Sequence, residues 1–316
     1  MIWDRICRPG EKEDPLETWG GISYSLEALS VALPEGWTVR PILRLGEDLY
    51  EDALAYLSSI PGLEIQSGIQ VTPGENPQVE LRYQDRETRL EVPSGAVPPW
   101  TWDDLQPRVE TVDAIYVNFI TGRELDLDTA HALGDSFPGP LYADLHTLFA
   151  EISTSGIRYP RSLPTWREWF QAFDLIQVNE EEFHLIAGPG DDAWERAATV
   201  IGRRPALVAV TMGPRGSTYI SHEDFDPDPA SWAIRRRLTE GGDANPKKAV
   251  SASTEVVSGD PTGCGDVWGA TFFARLLAGE GTEEAMASAN RQAAENIKHR
   301  GAPGLHRRLP AFPTGR

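Results

Sequence analysis

The stretch from Ser258 to Ala278 constrains this chain more than any other, because a glycine-rich loop runs directly into a segment of small and apolar residues with the look of a helix. Gly263 and Gly265 permit backbone conformations and a closeness of approach that a Cβ forbids, so successive N–H groups can face one concavity. At a helix start those groups lack intrahelical partners and lie at the positive end of the macrodipole, a setting for an anion. Asp266 adds chemistry. A carboxylate beside a phosphate repels it, so its presence points to a group that takes a proton from an attacking hydroxyl while the amides stabilise a phosphoryl group in transfer. An acidic residue that merely starts a helix is the competing account. No Gly-Lys-Ser/Thr follows, which excludes a Walker A loop, and the spacing of Gly263, Gly265 and Gly269 is off by one from the dinucleotide fingerprint.

The segment from Asp260 to Asp266, Asp-Pro-Thr-Gly-Cys-Gly-Asp, resembles the second signature of the ribokinase-like (PfkB) carbohydrate kinases, a D-T-x-G-A-G-D type loop. The resemblance implies that Gly263, Cys264 and Gly265 supply backbone donors of an anion hole and that Asp266 activates the substrate hydroxyl. Cys264 stands where the family often has Ala, a change that keeps the N–H. The implied fold class is α/β. A doubly wound, mostly parallel central sheet would be built from residues 1–62 and 98–316, with a small β-sheet lid over 63–97.

Composition narrows the rivals. With 316 residues, 40% of them hydrophobic, the chain can bury a substantial core. A formal net charge of −19 argues against a sequence-independent nucleic-acid surface and against docking to anionic membranes. Cys7 and Cys264 lie far apart, which disfavours a disulfide framework and fits a reducing compartment. No apolar run is long enough to span a bilayer, and a cytoplasmic location is the expectation.

Asp4 matches the place where the family's first strand ends in an Asp that binds sugar hydroxyls. The residues before it in that strand are missing, so the chain begins late or its start lies upstream, and the edge of the central sheet is left open. Gly20 and Gly21 lead into a helix with Leu26, Leu29 and Leu33 on one face. They resemble the family's first signature, where a glycine pair lets the backbone approach the sugar; Ser25 replaces a frequent Asn and reaches less far. Glu47 to Leu57 reads as an acidic-capped helix. From Leu63 to Val92 apolar and polar residues alternate around turns, the pattern of an antiparallel sheet with one exposed face. By resemblance it is the lid, and it leaves open a homodimer formed through it.

Beyond the linker at 97–102, Val112–Val117 and Leu141–Leu145 read as buried strands whose ends carry Asn118 and Asp144, substrate-side candidates. His146 reads as an ordinary loop histidine. Asp174–Val178 precedes Asn179 and Glu182, which look like the family's N-x-x-E motif, assigned by resemblance to Mg²⁺ and phosphate positioning through water; an Asn cap on an acidic helix start is the alternative. Thr211, Gly213 and Gly216 resemble the segment that borders the nucleotide. Trp232–Leu238 reads as a strand, and the helix at Thr282 as opening with a capping box. Arg300–Gly304 resembles the family's closing loop beside adenine and, in some members, a monovalent cation such as K⁺, which Asp260 would face.

The expected activity is ATP-dependent phosphorylation of a hydroxyl on a sugar or sugar-like compound, with Mg²⁺. A nucleoside or vitamin-precursor kinase of the same fold stays open, as does a silent sugar-binding regulator. A nicotinamide oxidoreductase using the glycine loop is the rival from another class.

Overall fold

The computed structural model describes residues 1–8, 10, 15–84, 89–188, 190–232, 247–251 and 257–312. In chain order its strands are β1 (Ile2–Cys7), β2 (Leu16–Gly20), β3 (Leu43–Gly46), β4 (Ile69–Thr72), β5 (Gln78–Tyr83), β6 (Arg89–Ser94), β7 (Ile115–Asn118), β8 (Leu141–Asp144), β9 (Ala150–Ile152), β10 (Arg158–Pro160), β11 (Leu175–Asn179), β12 (Leu207–Thr211), β13 (Ser217–Ser221) and β14 (Lys247–Ser251). The central sheet runs β14, β13, β12, β11, β8, β7. Its strands β7, β8, β11 and β12 are parallel, and the hairpin from β12 to β13 turns the far edge antiparallel.

Alternate side chains of the parallel strands enter two different cores. Leu141, Ala143, Ile176, Val178, Val208 and Val210 pack with Phe119, Trp169 and Phe170 on one face. Tyr142, Leu175, Leu207 and Ala209 pack on the other, with Trp268, Phe272 and Phe273 of the Cys264–Leu277 helix and Met286 of the Thr282–Asn296 helix. A sheet covered on both faces needs apolar residues at every position, which is why these strands show no alternation. Gln177 is polar in this setting and only 2% exposed.

The second six-stranded sheet runs β2, β1, β5, β6, β10, β9. Alternation locates β5 and β6 inside the 63–97 interval, while the other strands come from 2–20 and 150–160. The strand carrying Asp4 departs from expectation: β1 belongs to this sheet, parallel to β5 and antiparallel to β2. Ile2, Asp4 and Ile6 are buried and Arg5 is exposed, the alternation of a strand covered on one face, so Asp4 stands mid-strand. β4 also departs, since it pairs parallel with β3 in a separate two-stranded sheet. β3 and β7 both border a cavity of about 270 Å³ walled by Leu26, Leu29, Leu43, Ile115 and Val117, with Ser25 and Asn118 in its lining.

Two local expectations are corrected. The Thr282–Asn296 helix begins at Gly281, which has no side chain to accept a bond, so no capping box forms; Glu283 and Glu284 favour the helix start through the dipole alone. The acidic helix begins at Tyr50, with Glu51 and Asp52 in its first turn. The strand expected over Trp232–Leu238 lies, beyond Trp232, outside the described residues. Among the described residues no helix is long and apolar enough to cross a membrane.

Candidate active site

Parallel register gathers the polar residues at one edge. Asn118 pairs with Asp144 and Asp144 with Gln177 across β7, β8 and β11; two residues on, Asn179 pairs with Thr211. These are the carboxyl ends of the strands, where α/β sheets place their sites. The Cys264–Leu277 helix brings its N-terminus to the same edge. Gln177 Nε2 donates to the Gly265 carbonyl at 3.0 Å, and Asn118 Nδ2 donates to Asp266 Oδ1 at 2.7 Å.

Gly263 starts that helix in the left-handed region, φ 77° and ψ 1°. Asp260 shapes the approach, its Oδ1 accepting from the Thr262 N–H at 3.0 Å and the Thr262 hydroxyl at 2.7 Å, while Arg8 Nη2 lies 2.7 Å from its Oδ2. Asn296 Nδ2 donates to the Thr262 carbonyl at 2.9 Å. One expectation changes here. The Cys264 N–H donates to the Pro261 carbonyl at 3.1 Å as the loop closes a turn, so that donor is engaged within the loop. The next N–H groups at the helix start belong to Gly265 and Asp266.

Three carboxyl groups share this poorly solvated region. Burial pushes the Asp266 carboxyl up to about 6, against the Asn118 hydrogen bond and the charges of His146 and Arg89. Asp144 rises to about 8, burial leading and the Glu182 and Asp266 charges adding, with His146 opposing. Asp4 rises to about 7, again through burial first, with Arg89 pulling the other way. Asp4 reaches this position only because β2 ends in glycine: a Cβ on Gly20 would lie 1.7 Å from Asp4 Oδ2. Gly21, at φ 57°, would bring its Cβ within 2.5 Å of Ile120. Ser25 accepts from Asn118 Nδ2 at 3.1 Å and donates to the Asp266 carbonyl at 3.3 Å.

On the β11 side, Asn179 and Glu182 form a reciprocal cap at the Glu180–His184 helix. The Glu182 N–H donates to Asn179 Oδ1 at 2.9 Å, and the Asn179 N–H donates to Glu182 Oε2 at 2.8 Å. Glu182 Oε1 accepts from Asn179 Nδ2 at 2.6 Å and lies 2.7 Å from His146 Nδ1. Desolvation would lower the imidazole of the half-exposed His146, but the Glu182 carboxylate beside the ring outweighs it and raises the group to about 10, which favours the protonated ring. The β12–β13 turn, with Gly213 at φ 55° and Gly216 at φ 88°, is tied to this helix by an ion pair between Arg215 and Glu180.

Comparison with known proteins decides what this arrangement belongs to. The model of the pfkB family of carbohydrate kinases matches residues 36–305. The chain belongs to that family. It is therefore a phosphotransferase with an alcohol group as acceptor, of the carbohydrate or nucleoside kinase kind. Solved structures share the ribokinase-like fold. Ribokinase from Thermotoga maritima is 16% identical with a TM-score of 0.68, covering 98% of this chain and 93% of its own. The nucleoside kinase of Burkholderia thailandensis in complex with inosine is 18% identical with a TM-score of 0.67, covering 98% and 92%. A pyrophosphate-dependent kinase in the ribokinase family, in a sulfate complex, is 17% identical with a TM-score of 0.67, covering 96% and 95%. No curated protein sequence matches.

In this pfkB family kinase the residues singled out from sequence fall into two groups. Asp266, Gly263, Gly265, Ser25, Asn118, Asp144, Asp4, Gly20 and Gly21 surround the helix start. Asn179, Glu182, Thr211, Gly213 and Gly216 line the β11–β12 edge, and His146 joins the groups. Asp260 stands behind the loop, bonded to Thr262 and Arg8. Sequence reasoning missed His146, although its place two residues beyond Asp144 at a strand end was a usable signal. It missed Gln177 too, whose signal was a lone amide in an apolar strand. Arg89, which lowers both Asp4 and Asp266, gave no local signal, since it reaches the site only through the lid sheet.

Proposed function

We propose that this kinase transfers the γ-phosphoryl group of ATP to a hydroxyl of a sugar or sugar-like compound, with Asp266 as general base. The observation that carries the reading is the Asp266 carboxyl, raised to about 6 and held by Asn118 at the N-terminus of a glycine-led helix. A base poised near the working pH is what proton removal from an alcohol needs. Asn118 already donates to Oδ1, which leaves Oδ2 as the more basic oxygen to accept the hydroxyl proton, while the N–H groups at the helix start face the phosphoryl oxygens.

Asp4, Asn118, Asp144 and Ser25, with the backbone at Gly20 and Gly21, form the acceptor side. Asp4 and Asp144, with carboxyls raised to about 7 and 8, can donate as well as accept near neutrality, which suits a polyhydroxyl compound. The lid sheet carries Asp4 and excludes water from the transfer. Thr211, Gly213 and Gly216 border the nucleotide.

Bound Mg²⁺ supplies charge neutralisation for the donor phosphates. Glu182 fits it through water: three hydrogen bonds already converge on its oxygens, and a carboxylate has about four acceptor positions. Among the described residues no group of three His, Cys, Asp or Glu could hold a metal directly. Glu182→Gln is expected to raise the Mg²⁺ concentration for half-maximal turnover by roughly 10- to 100-fold, the usual cost of losing an outer partner, with kcat at saturating metal much less affected. An unchanged metal titration would remove Glu182 from the site. Asp260 does not fit a bare monovalent cation as arranged here, because Arg8 already supplies positive charge against it.

The test is a panel of sugars, polyols and nucleosides offered with ATP or pyrophosphate and Mg²⁺, followed by ADP or phosphate release. At least one acceptor is expected to give turnover that Asp266→Asn removes. Sugar binding by calorimetry with no release across the panel would instead assign a binding role.

A further inference from the structure

Gln177 sits in the middle of β11, on the face that packs against the Cys264–Leu277 helix, with both ends of its amide engaged. Its Nε2 donates to the Gly265 carbonyl at 3.0 Å and its Oε1 accepts from the Tyr142 hydroxyl at 2.7 Å. The helix makes room for it. A Cβ on Gly269 would lie 2.0 Å from Gln177 Oε1, so glycine one turn into the helix is what admits the amide. In a helix the Gly265 carbonyl is already the acceptor for the N–H of residue 269, so this carbonyl needs no further partner for its own satisfaction. A buried amide, a buried phenol and a glycine have nonetheless been assembled around it.

The Gly265 carbonyl and the Asp266 N–H are the two ends of one peptide unit, and Asp266 hangs from that unit. We propose that Gln177 is a positioning residue for phosphoryl transfer, with its amide, oriented by Tyr142, fixing and polarising the Gly265–Asp266 peptide so that the Asp266 N–H and carboxylate are aimed together. A hydrogen bond to a peptide carbonyl strengthens the donor at the other end of the same unit, and a low local dielectric enlarges the effect. The Gly265 carbonyl can only accept, so it takes the Gln177 NH₂, and the Tyr142 hydroxyl donates to the Oε1 at the other end and holds the amide in that orientation. The inference rests on the reading of the Gly263–Asp266 segment as the phosphoryl site.

The decisive variant is Gln177→Met combined with Tyr142→Phe, which keeps the apolar volume and removes both members of the Tyr142–Gln177 bond together, while the Gly265 carbonyl keeps its helical partner. It is expected to fold with a wild-type Tm, to lower kcat about 10-fold with the acceptor KM within about twofold, and to leave the pH midpoint of kcat/KM near that of the parent. Tyr142→Phe alone should give a smaller fall in kcat, about threefold, since the amide is still present but free to turn. Sulfate, titrated against the full-length protein by thermal shift, reads the donor strength without any substrate, and its apparent dissociation constant should rise about fivefold in the double variant. A folded double variant with unchanged kcat and unchanged sulfate affinity overturns the inference. Asp266→Asn separates that failure from a deeper one: loss of activity there beside a normal double variant sinks only the role of Gln177, whereas an active Asp266→Asn sinks the site reading itself.

Discussion

Replacing Asp266 by Asn is expected to lower kcat by roughly 10²- to 10⁴-fold, the range for removing a general base, while leaving the folded protein at least as stable as the parent at pH 8. Both halves follow from one fact, the carboxyl raised from 3.8 to about 6 by burial. A folded-state value above the unfolded one means that the native protein holds the proton more tightly. That contribution to stability is fully present below about pH 4 and is lost as the pH rises through about 6. Asn cannot ionise, so the variant escapes the loss, and its Tm advantage over the parent should grow between pH 4 and pH 8. Catalysis runs the opposite way: kcat/KM of the parent should climb through about pH 6 as the base ionises. Calorimetric scans at several pH values and a pH–rate profile check the two slopes. A variant with near-parental kcat, or one whose Tm advantage shrinks with pH, would show that Asp266 is not the general base with the raised carboxyl.

The same residue shows what sequence can and cannot disclose. The loop from Asp260 to Asp266 is legible because glycine spacing and a helix start are local, and local chemistry leaves a local mark. Asn118 and Asp144 are legible through position, as polar residues at the ends of apolar strands. Their partner Gln177 is not, because one polar residue in Leu-Ile-Gln-Val has no meaning until the facing helix is in place. His146 looks ordinary for the related reason that its charge depends on Glu182, 36 positions away in the chain. The sheet to which β1 belongs is hidden as well, because strand alternation records which face is buried and not which neighbours it pairs with.

The two glycines of the loop should respond to alanine in opposite ways, and the contrast separates architecture from function. At Gly263 the backbone is left-handed and a methyl group would lie 2.3 Å from the ring of Tyr24, which is 1% exposed and packed among Ala28, Val267 and Ala270. The left-handed conformation costs an L-residue about 1–2 kcal/mol, and forcing a methyl into a filled core adds about 1–3 kcal/mol. Tyr24 has nowhere to go, so the helix start must move and carry Asp266 with it. Gly263→Ala should therefore lose several degrees of Tm and at least 10²-fold in kcat together. Gly265 meets no such obstacle: a methyl group there would have Gln177 Nε2 as its nearest neighbour at 3.9 Å, ordinary contact, and its φ is not positive. Inside a helix Ala is preferred to Gly by about 1 kcal/mol, so Gly265→Ala should hold or raise Tm. Nothing among the described residues requires glycine there, so if the proposed phosphoryl site is right, the transferred group is the neighbour that a methyl would meet. A fall in kcat of about tenfold or more at unchanged Tm would place the transferred group against Gly265, and a Gly265→Ala enzyme with parental kcat would place it elsewhere.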